Sequence, residues 1–270
     1  MAYNLLKGKK GIIFGALNEL SLAWKVAEHA VAEGAEIVLT NSPLSVRFGE
    51  IDKLAEKCGA ILIPADATSV ADLENLIDKS LEHFGGKIDF VLHAVGMSQN
   101  VRKNRPYEDL SYAYMLKTID VSALSFHKLL QTLYKKDAMA EYGSVVALSY
   151  IASQRTVERY SDMAEAKAML ESIARSFGFV YGRKRHVRVN TVSQSPTMTT
   201  AGQGIAGMIE MHRYTNELSP LGNASADDCA DSVVTLFSDL TRKVTMQNLY
   251  HDGGFSSMGI CGTVLNRYIE

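Results

Sequence analysis

A doubly wound α/β fold, built on a parallel sheet of about seven strands, is the architecture this sequence predicts. Three observations carry that expectation. Short β-branched runs alternate with longer helical patterns along all 270 residues. The runs are nearly continuous in apolar residues, as strands covered on both faces are. The first run ends in a glycine and leads into a helix, the opening of a Rossmann sheet.

In chain order, Ile12-Ile13-Phe14 forms the first strand and ends at Gly15. A helix over about 21–33 follows, then strands at Ile37-Val38-Leu39 and at Ile61-Leu62-Ile63, the latter ending at Asp66. Phe90-Val91-Leu92 runs to Val95-Gly96, and Val145-Val146-Ala147-Leu148 runs to Tyr150. Val187-Arg188-Val189-Asn190 leads to Val192, and Asn248-Leu249-Tyr250 to Gly253-Gly254. Helical patterns cover 69–84, 109–135, 160–181 and 225–238. No proline- or serine-rich linker divides the chain, so residues 1–270 are expected to form a single domain. The segment 197–219 breaks the rhythm with Gly202, Gly204 and Gly207 and a weak helical pattern through Met208, Met211 and His212. It leaves the C-terminal end of a strand, where ligands bind in open α/β sheets, and is expected to be a helical substrate lid.

Composition excludes several classes. A net charge of −2 provides no field to draw nucleic acid or an anionic membrane. The apolar runs fall well short of the ~20 residues a membrane span needs, and the N-terminus lacks a signal-peptide core. Cys58, Cys229 and Cys261 are odd in number, far apart and without a histidine at metal spacing, so they read as reduced cytosolic thiols, and no metal is expected. Arg183-Lys184-Arg185-His186 suits the C-terminal dipole of a helix better than a nucleic acid. A soluble, cytoplasmic protein follows.

The turn Gly15-Ala16-Leu17-Asn18-Glu19-Leu20-Ser21 lacks the usual three-glycine fingerprint. Gly15 stands where the chain must turn, and Ser21 can cap the next helix, whose N-terminal N–H groups would face a pyrophosphate. The second strand ends Leu39-Thr40-Asn41-Ser42-Pro43, with neither an acid for a ribose 2′-hydroxyl nor an arginine for a 2′-phosphate. This favours NADH, with NADPH as the alternative. Asp66 suits either the adenine amino group or a cap on the following helix.

The segment from Tyr160 to Lys167 is the most informative in the chain. Seven helical residues turn through roughly 700°, which would put the two side chains on one face about 10 Å apart. The phenol and the ammonium ordinarily titrate near ~10 and ~10.4, and an adjacent ammonium favours phenolate and sharpens the phenol as a donor. A phenol aimed at a carbonyl oxygen stabilises the charge that develops there when hydride arrives elsewhere on the substrate. Tyr150, at the end of the preceding strand, faces the same crevice.

With these residues in view, the sequence resembles the enoyl-acyl-carrier-protein reductases, a divergent branch of the short-chain dehydrogenases, over nearly its whole length. The resemblance runs through Gly15 with Ser21-Leu22-Ala23, Asp66, His93-Ala94-Val95-Gly96, Asp120-Val121-Ser122, Leu148-Ser149-Tyr150, Arg188-Val189-Asn190, Ser195-Pro196 and His251-Asp252-Gly253-Gly254-Phe255. Its specific mark is the six residues between Tyr160 and Lys167. Ordinary short-chain dehydrogenases place three there, and they carry a serine where this chain has Ala147. Ser195 and Thr197 depart from the glycine and isoleucine common in the family.

The resemblance implies hydride transfer from NADH to the β-carbon of a trans-2-enoyl thioester carried on acyl carrier protein, by a homotetramer. Tyr160 would bond the thioester carbonyl, Lys167 would hold the nicotinamide ribose, and Tyr150 would sit over the acyl site. Gly15, Ser21, Leu22, Ser42, Asp66 and Ala67 are the expected cofactor residues toward the adenosine and pyrophosphate. Val95, Thr197, Met198, Thr199, Thr200 and Ala201 are expected to flank the nicotinamide, and Ser98 and Met163 to line the acyl pocket. Arg102, Lys103 and Arg105 are candidates for docking the acidic carrier protein. Two other readings stand beside this one: a carbonyl- or alcohol-reducing dehydrogenase, and a dinucleotide-binding regulator without catalysis.

Overall fold

The structure, a computed structural model, describes residues 3–269. Its sheet holds seven parallel strands: β1 (Lys10–Phe14), β2 (Glu36–Thr40), β3 (Ile61–Leu62), β4 (Ile88–His93), β5 (Met139–Ser149), β6 (Arg188–Gln194) and β7 (Asn248–His251). Their spatial order is β3-β2-β1-β4-β5-β6-β7. The order reverses between β1 and β4, and a crevice opens there at the carboxyl ends of the strands.

The period of two along each strand divides its side chains between the two faces. Ile12 and Phe14 pack into one buried cluster with Val145 and Ala147. Ile13 packs into the opposite cluster with Val146 and Leu148. The first face is covered by α4 (Val70–Phe84), α7 (Ser125–Lys135) and α8 (Met163–Arg185), the second by α1 (Leu22–Ala32), α3 (Ile51–Cys58) and α10 (Ala226–Phe237). The remaining helices α2 (Pro43–Phe48), α5 (Gln99–Arg102), α6 (Tyr112–Ile119), α9 (Met208–Leu218) and α11 (Gly262–Leu265) border the crevice or the C-terminus.

Several boundaries differ from those expected. The pattern over 109–135 is two helices joined by a π-helical stretch, Asp120–Leu124, which widens the ladder beside the crevice. The connection after β2 contains α2 and α3, which the sequence pattern did not separate from loop. The most consequential difference is at α8. It begins at Met163, so Tyr160 is not helical. Tyr160 lies in a turn between two left-handed residues, Arg159 (φ 66) and Ser161 (φ 50). Tyr160 and Lys167 therefore do not share a helix face; they reach one cleft from a strained turn and from α8.

Candidate active site

A cleft of about 920 Å³ runs along the carboxyl ends of the strands. That lies at the upper end of what small-molecule sites occupy. Gly15 forms its first wall with φ +102, and a Cβ there would overlap the carbonyl oxygen of Ala94 beyond β4. Only glycine allows β1 and β4 to deliver their ends this closely. Ser21 holds the N-cap position of α1 without bonding the helix. Its Oγ instead accepts from the N–H groups of Leu17 (3.1 Å) and Asn18 (3.2 Å), tying back the glycine turn. The expected cap is thus corrected: α1 keeps its first-turn N–H groups free of a side-chain cap, with Leu22 and Ala23 on the cleft wall.

At the far end the wall consists of Asn41, Ser42, Pro43, Leu44 and Ser45, none of them charged. Ser42 caps α2 by accepting from the Ser45 N–H at 3.2 Å. Arg47 points away and stacks over Phe48 at 5.4 Å. Asp66 and Ala67 line the cleft. Asp66 does not cap α4, since Ser69 does that. Its Oδ1 accepts from the Thr68 N–H and Oγ, both at 2.8 Å. Burial works to raise this carboxyl, but the Thr68 bonds and the charges of Lys117 and Lys128 outweigh it and hold the carboxyl below its ordinary value.

At the other end the cleft is lined by Val95, Gly96, Ser98, Tyr150, Tyr160, Met163 and Lys167. Lys167 is buried on the second turn of α8 and donates to the Leu148 carbonyl at 2.7 Å. Burial lowers its pKa to about 8, and Glu171 opposes that shift. The Tyr150 and Tyr160 rings lie 4.9 Å apart, tilted by 55°. Burial raises both phenols well above their ordinary value, so both are protonated at neutral pH. This reverses the expected balance at Tyr160, where desolvation outweighs any pull of the ammonium toward phenolate. Tyr150 donates to the Met211 sulfur at 3.4 Å, whereas among the described residues no group hydrogen-bonds the Tyr160 phenol.

The segment after β6 turns back across the mouth. Thr197, Thr199, Thr200 and Ala201 line the cleft. Met198 does not. A tight turn, with the Thr199 N–H donating to the Thr197 carbonyl at 2.7 Å, directs it into a separate hollow with Gln203, Ile205 and Ile209. The Thr200 hydroxyl bonds the Asn18 side chain at 2.8 Å and so clasps this segment to the glycine turn. Ile205, Met208 and Met211 close the outer wall. Ser98 lines the cleft, and its hydroxyl is committed: it donates to Asp162 at 2.6 Å and accepts from the Val101 N–H at 3.0 Å. Asp162 was not singled out by the sequence. It is fully buried and also accepts from Asn100 at 2.8 Å. Of the proposed docking cations, Arg102 borders the cleft, Lys103 donates to the Tyr114 hydroxyl and Arg105 pairs with Asp109.

These walls fit an extended dinucleotide. Gly15 and Gly96 both lie on the wall, and a Cβ at Gly96 would stand 3.5 Å from the Met163 Cε and 3.8 Å from the Lys167 Nζ. Among the described residues no group of three or more His, Cys, Asp or Glu is arranged to hold a metal ion, and no helix is long and apolar enough to cross a membrane.

Residues 15–256 match the family model described as enoyl-(acyl carrier protein) reductase. The chain belongs to the enoyl-acyl-carrier-protein reductase family. It is 32% identical over 253 residues to the enoyl-[acyl-carrier-protein] reductase [NADH] 2 of Rhizobium meliloti, spanning 93% of each chain. It is also 32% identical to the enoyl-[acyl-carrier-protein] reductase [NADH] FabI of Rickettsia bellii, across 96% of this chain and 98% of that one. Among solved structures it is similar to the FabI–NADH complex from Alistipes finegoldii, with 70% identity, a TM-score of 0.94 and coverage of 96% of this chain and 91% of that one. In this chain the Tyr160 phenol and the buried Lys167 line the same cleft.

Proposed function

We propose that this reductase uses NADH to reduce trans-2-enoyl thioesters on acyl carrier protein to saturated acyl thioesters, with Tyr160 and Lys167 as its central pair. The observation that carries the reading is the buried Tyr160 phenol, which lines the same cleft as Lys167, has no hydrogen-bond partner among the described residues and is kept protonated by burial. A bound nicotinamide supplies hydride to the β-carbon of the enoyl group. Tyr160 donates a hydrogen bond to the thioester carbonyl, which gains negative charge as that carbon is reduced, and the resulting enolate takes a proton from solvent at its α-carbon to give the saturated thioester. Because the phenol is already protonated and desolvated, it needs no reorganisation to make this bond. Lys167, still charged at neutral pH, offers its remaining N–H groups to the nicotinamide ribose while one holds Leu148.

Gly15, Ser21, Leu22, Ser42, Asp66, Ala67, Val95, Thr197, Thr199, Thr200 and Ala201 form the rest of the cofactor wall in this reading. Met163 and the Ser98 backbone border the acyl group. Residues 1–270 act as one domain, with 197–219 as the lid. Ile205, Met208 and Met211 would lie over the acyl chain and keep water from the reacting carbons. The uncharged wall at Ser42 supports NADH. Exposed apolar side chains on two helices, Phe179 and Val180 on α8 and Tyr112 and Leu116 on α6, support a homotetramer of this cytoplasmic enzyme. Arg102, at the rim, is the best placed of the cations to meet an acidic carrier.

The test is reduction of crotonyl-acyl carrier protein, with NADH and NADPH in parallel and the product identified by mass. Saturated butyryl-carrier formed preferentially with NADH is expected. Turnover of a 3-oxoacyl but not the enoyl thioester, or NADH binding without any turnover, would overturn the reading.

A further inference from the structure

We infer that Glu171 is a positioning residue of this active site: its buried carboxylate fixes the segment carrying Tyr150 and supplies the counter-charge that keeps Lys167 an ammonium. The inference rests on the proposed roles of Lys167 and Tyr150.

Glu171 is 3% exposed and lies four residues, about one helical turn, beyond Lys167 on α8. Its Oε1 accepts from the Ser149 hydroxyl at 2.7 Å and the Ser153 hydroxyl at 2.5 Å. Its Oε2 accepts from the Gln154 amide at 3.1 Å. These donors lie on both sides of Tyr150 in the chain. Lys167 grips the same segment one residue earlier, at the Leu148 carbonyl. Two successive turns of α8 therefore hold 148–154 in place, and with it the phenol that faces the cleft. The hold continues outward, because Gln154 accepts from the Tyr250 hydroxyl on β7 at 2.6 Å.

Burying a carboxylate is costly, and a neutral acceptor would suffice if hydrogen bonding were its only task. Among the described residues Glu171 has no cation as a hydrogen-bond partner. Its charge is felt instead at Lys167, where it opposes the fall caused by burial. The other titratable groups around Lys167 do not supply that charge. His93 on β4 is pushed down to about 3, first by burial and then by Lys167 itself, and is neutral. Tyr150, after β5, and Tyr160, before α8, are both held as neutral phenols by burial. Asp252 acts on Tyr150. Without Glu171 the ammonium would lose its proton closer to neutral pH, and a donor to the nicotinamide ribose would be lost with it.

The decisive measurement is an NMR titration of cofactor-free protein labelled with 13Cε-lysine, the Lys167 signal being identified by its absence in Lys167→Met. In the parent protein the midpoint is expected near 8. In Glu171→Gln it should fall by about one pH unit. In Glu171→Asp, which keeps the charge, it should return toward the parent value. The pH above which NADH binding weakens should move with it. A purely structural Glu171 would lower the melting temperature and leave the midpoint in place, and that result overturns the proposal. Should Glu171→Gln fail to fold, Glu171→Ser, which leaves room for water among the same donors, takes its place in the titration; the same fall is expected, and an unchanged midpoint overturns the proposal. The titration uses neither substrate nor turnover, so a parent protein inactive on enoyl thioesters would count against the functional reading and not against this one.

Discussion

Asp162 offers a demanding test of how the site is held. Its carboxylate is fully buried between the turn that carries Tyr160 and the α5 segment on the cleft wall. It accepts from Ser98 at 2.6 Å and from Asn100 at 2.8 Å, so it is the tie between α5 and the start of α8. Asp162→Ala leaves both donors without that acceptor. A hydrogen bond to a charged group contributes roughly 1.5–3 kcal/mol, so the pair together predicts a loss of about 3–6 kcal/mol. The position at the N-terminus of a 23-residue helix adds up to about 1 kcal/mol, because the carboxylate no longer meets the helix dipole. Asp162→Asn keeps one acceptor oxygen and should cost about half as much. Urea unfolding at neutral pH reads both values. The KM for the enoyl thioester should also rise in Asp162→Ala, since α5 loses its anchor while the cofactor wall is untouched. An Asp162→Ala protein within about 1 kcal/mol of the parent, with unchanged KM, would refute the reasoning.

Three further outcomes follow from the same geometry. His93 is buried and pushed down to about 3, so on acidification the unfolded chain, with an ordinary value near 6.5, takes up that proton first. Its contribution is complete above about pH 6.5 and declines by about 1.4 kcal/mol per pH unit as the pH falls toward 3. His93→Gln should flatten the acid limb of a stability–pH profile, and an unchanged limb would contradict this. Gly15→Ala places a side chain at φ +102 against the Ala94 carbonyl, and it should abolish NADH binding in a fluorescence titration; affinity within twofold of the parent would count against the cradle. Asn18→Ala removes the clasp to Thr200 and should speed NADH release about two- to tenfold in stopped flow, whereas an unchanged rate would mean the clasp does not restrain the cofactor.

The sheet was legible because its strands are apolar on both faces, and the seven runs anticipated their order in the chain. Gly15 was legible because only a sharp turn needs it there. The turn holding Tyr160 was not, since Arg159 and Ser161 take left-handed backbone angles that neither residue type announces. Ser21 was placed correctly in the chain but given the wrong bond: a serine before a helix can turn its oxygen either way, and tertiary packing of the glycine turn decides. Met198 was drawn into the cofactor wall by its neighbours, whereas the backbone turn at Thr197 sends its side chain elsewhere. Asp162 escaped notice because its partners, Ser98 and Asn100, lie more than sixty residues away. Glu171 had one local signal, an acid four residues beyond a lysine, which on a helix is more often a surface pair.

In the proposed mechanism Tyr160 acts on the reacting carbonyl rather than on the fold or the cofactor. Its most direct test is Tyr160→Phe, which deletes one hydroxyl that has no protein partner among the described residues. NADH affinity and melting temperature should stay at parent values, while kcat on crotonyl-acyl carrier protein falls about a hundredfold or more, as for a lost oxyanion donor. A variant that retains kcat within about threefold, or that loses NADH binding in step with activity, would contradict the account.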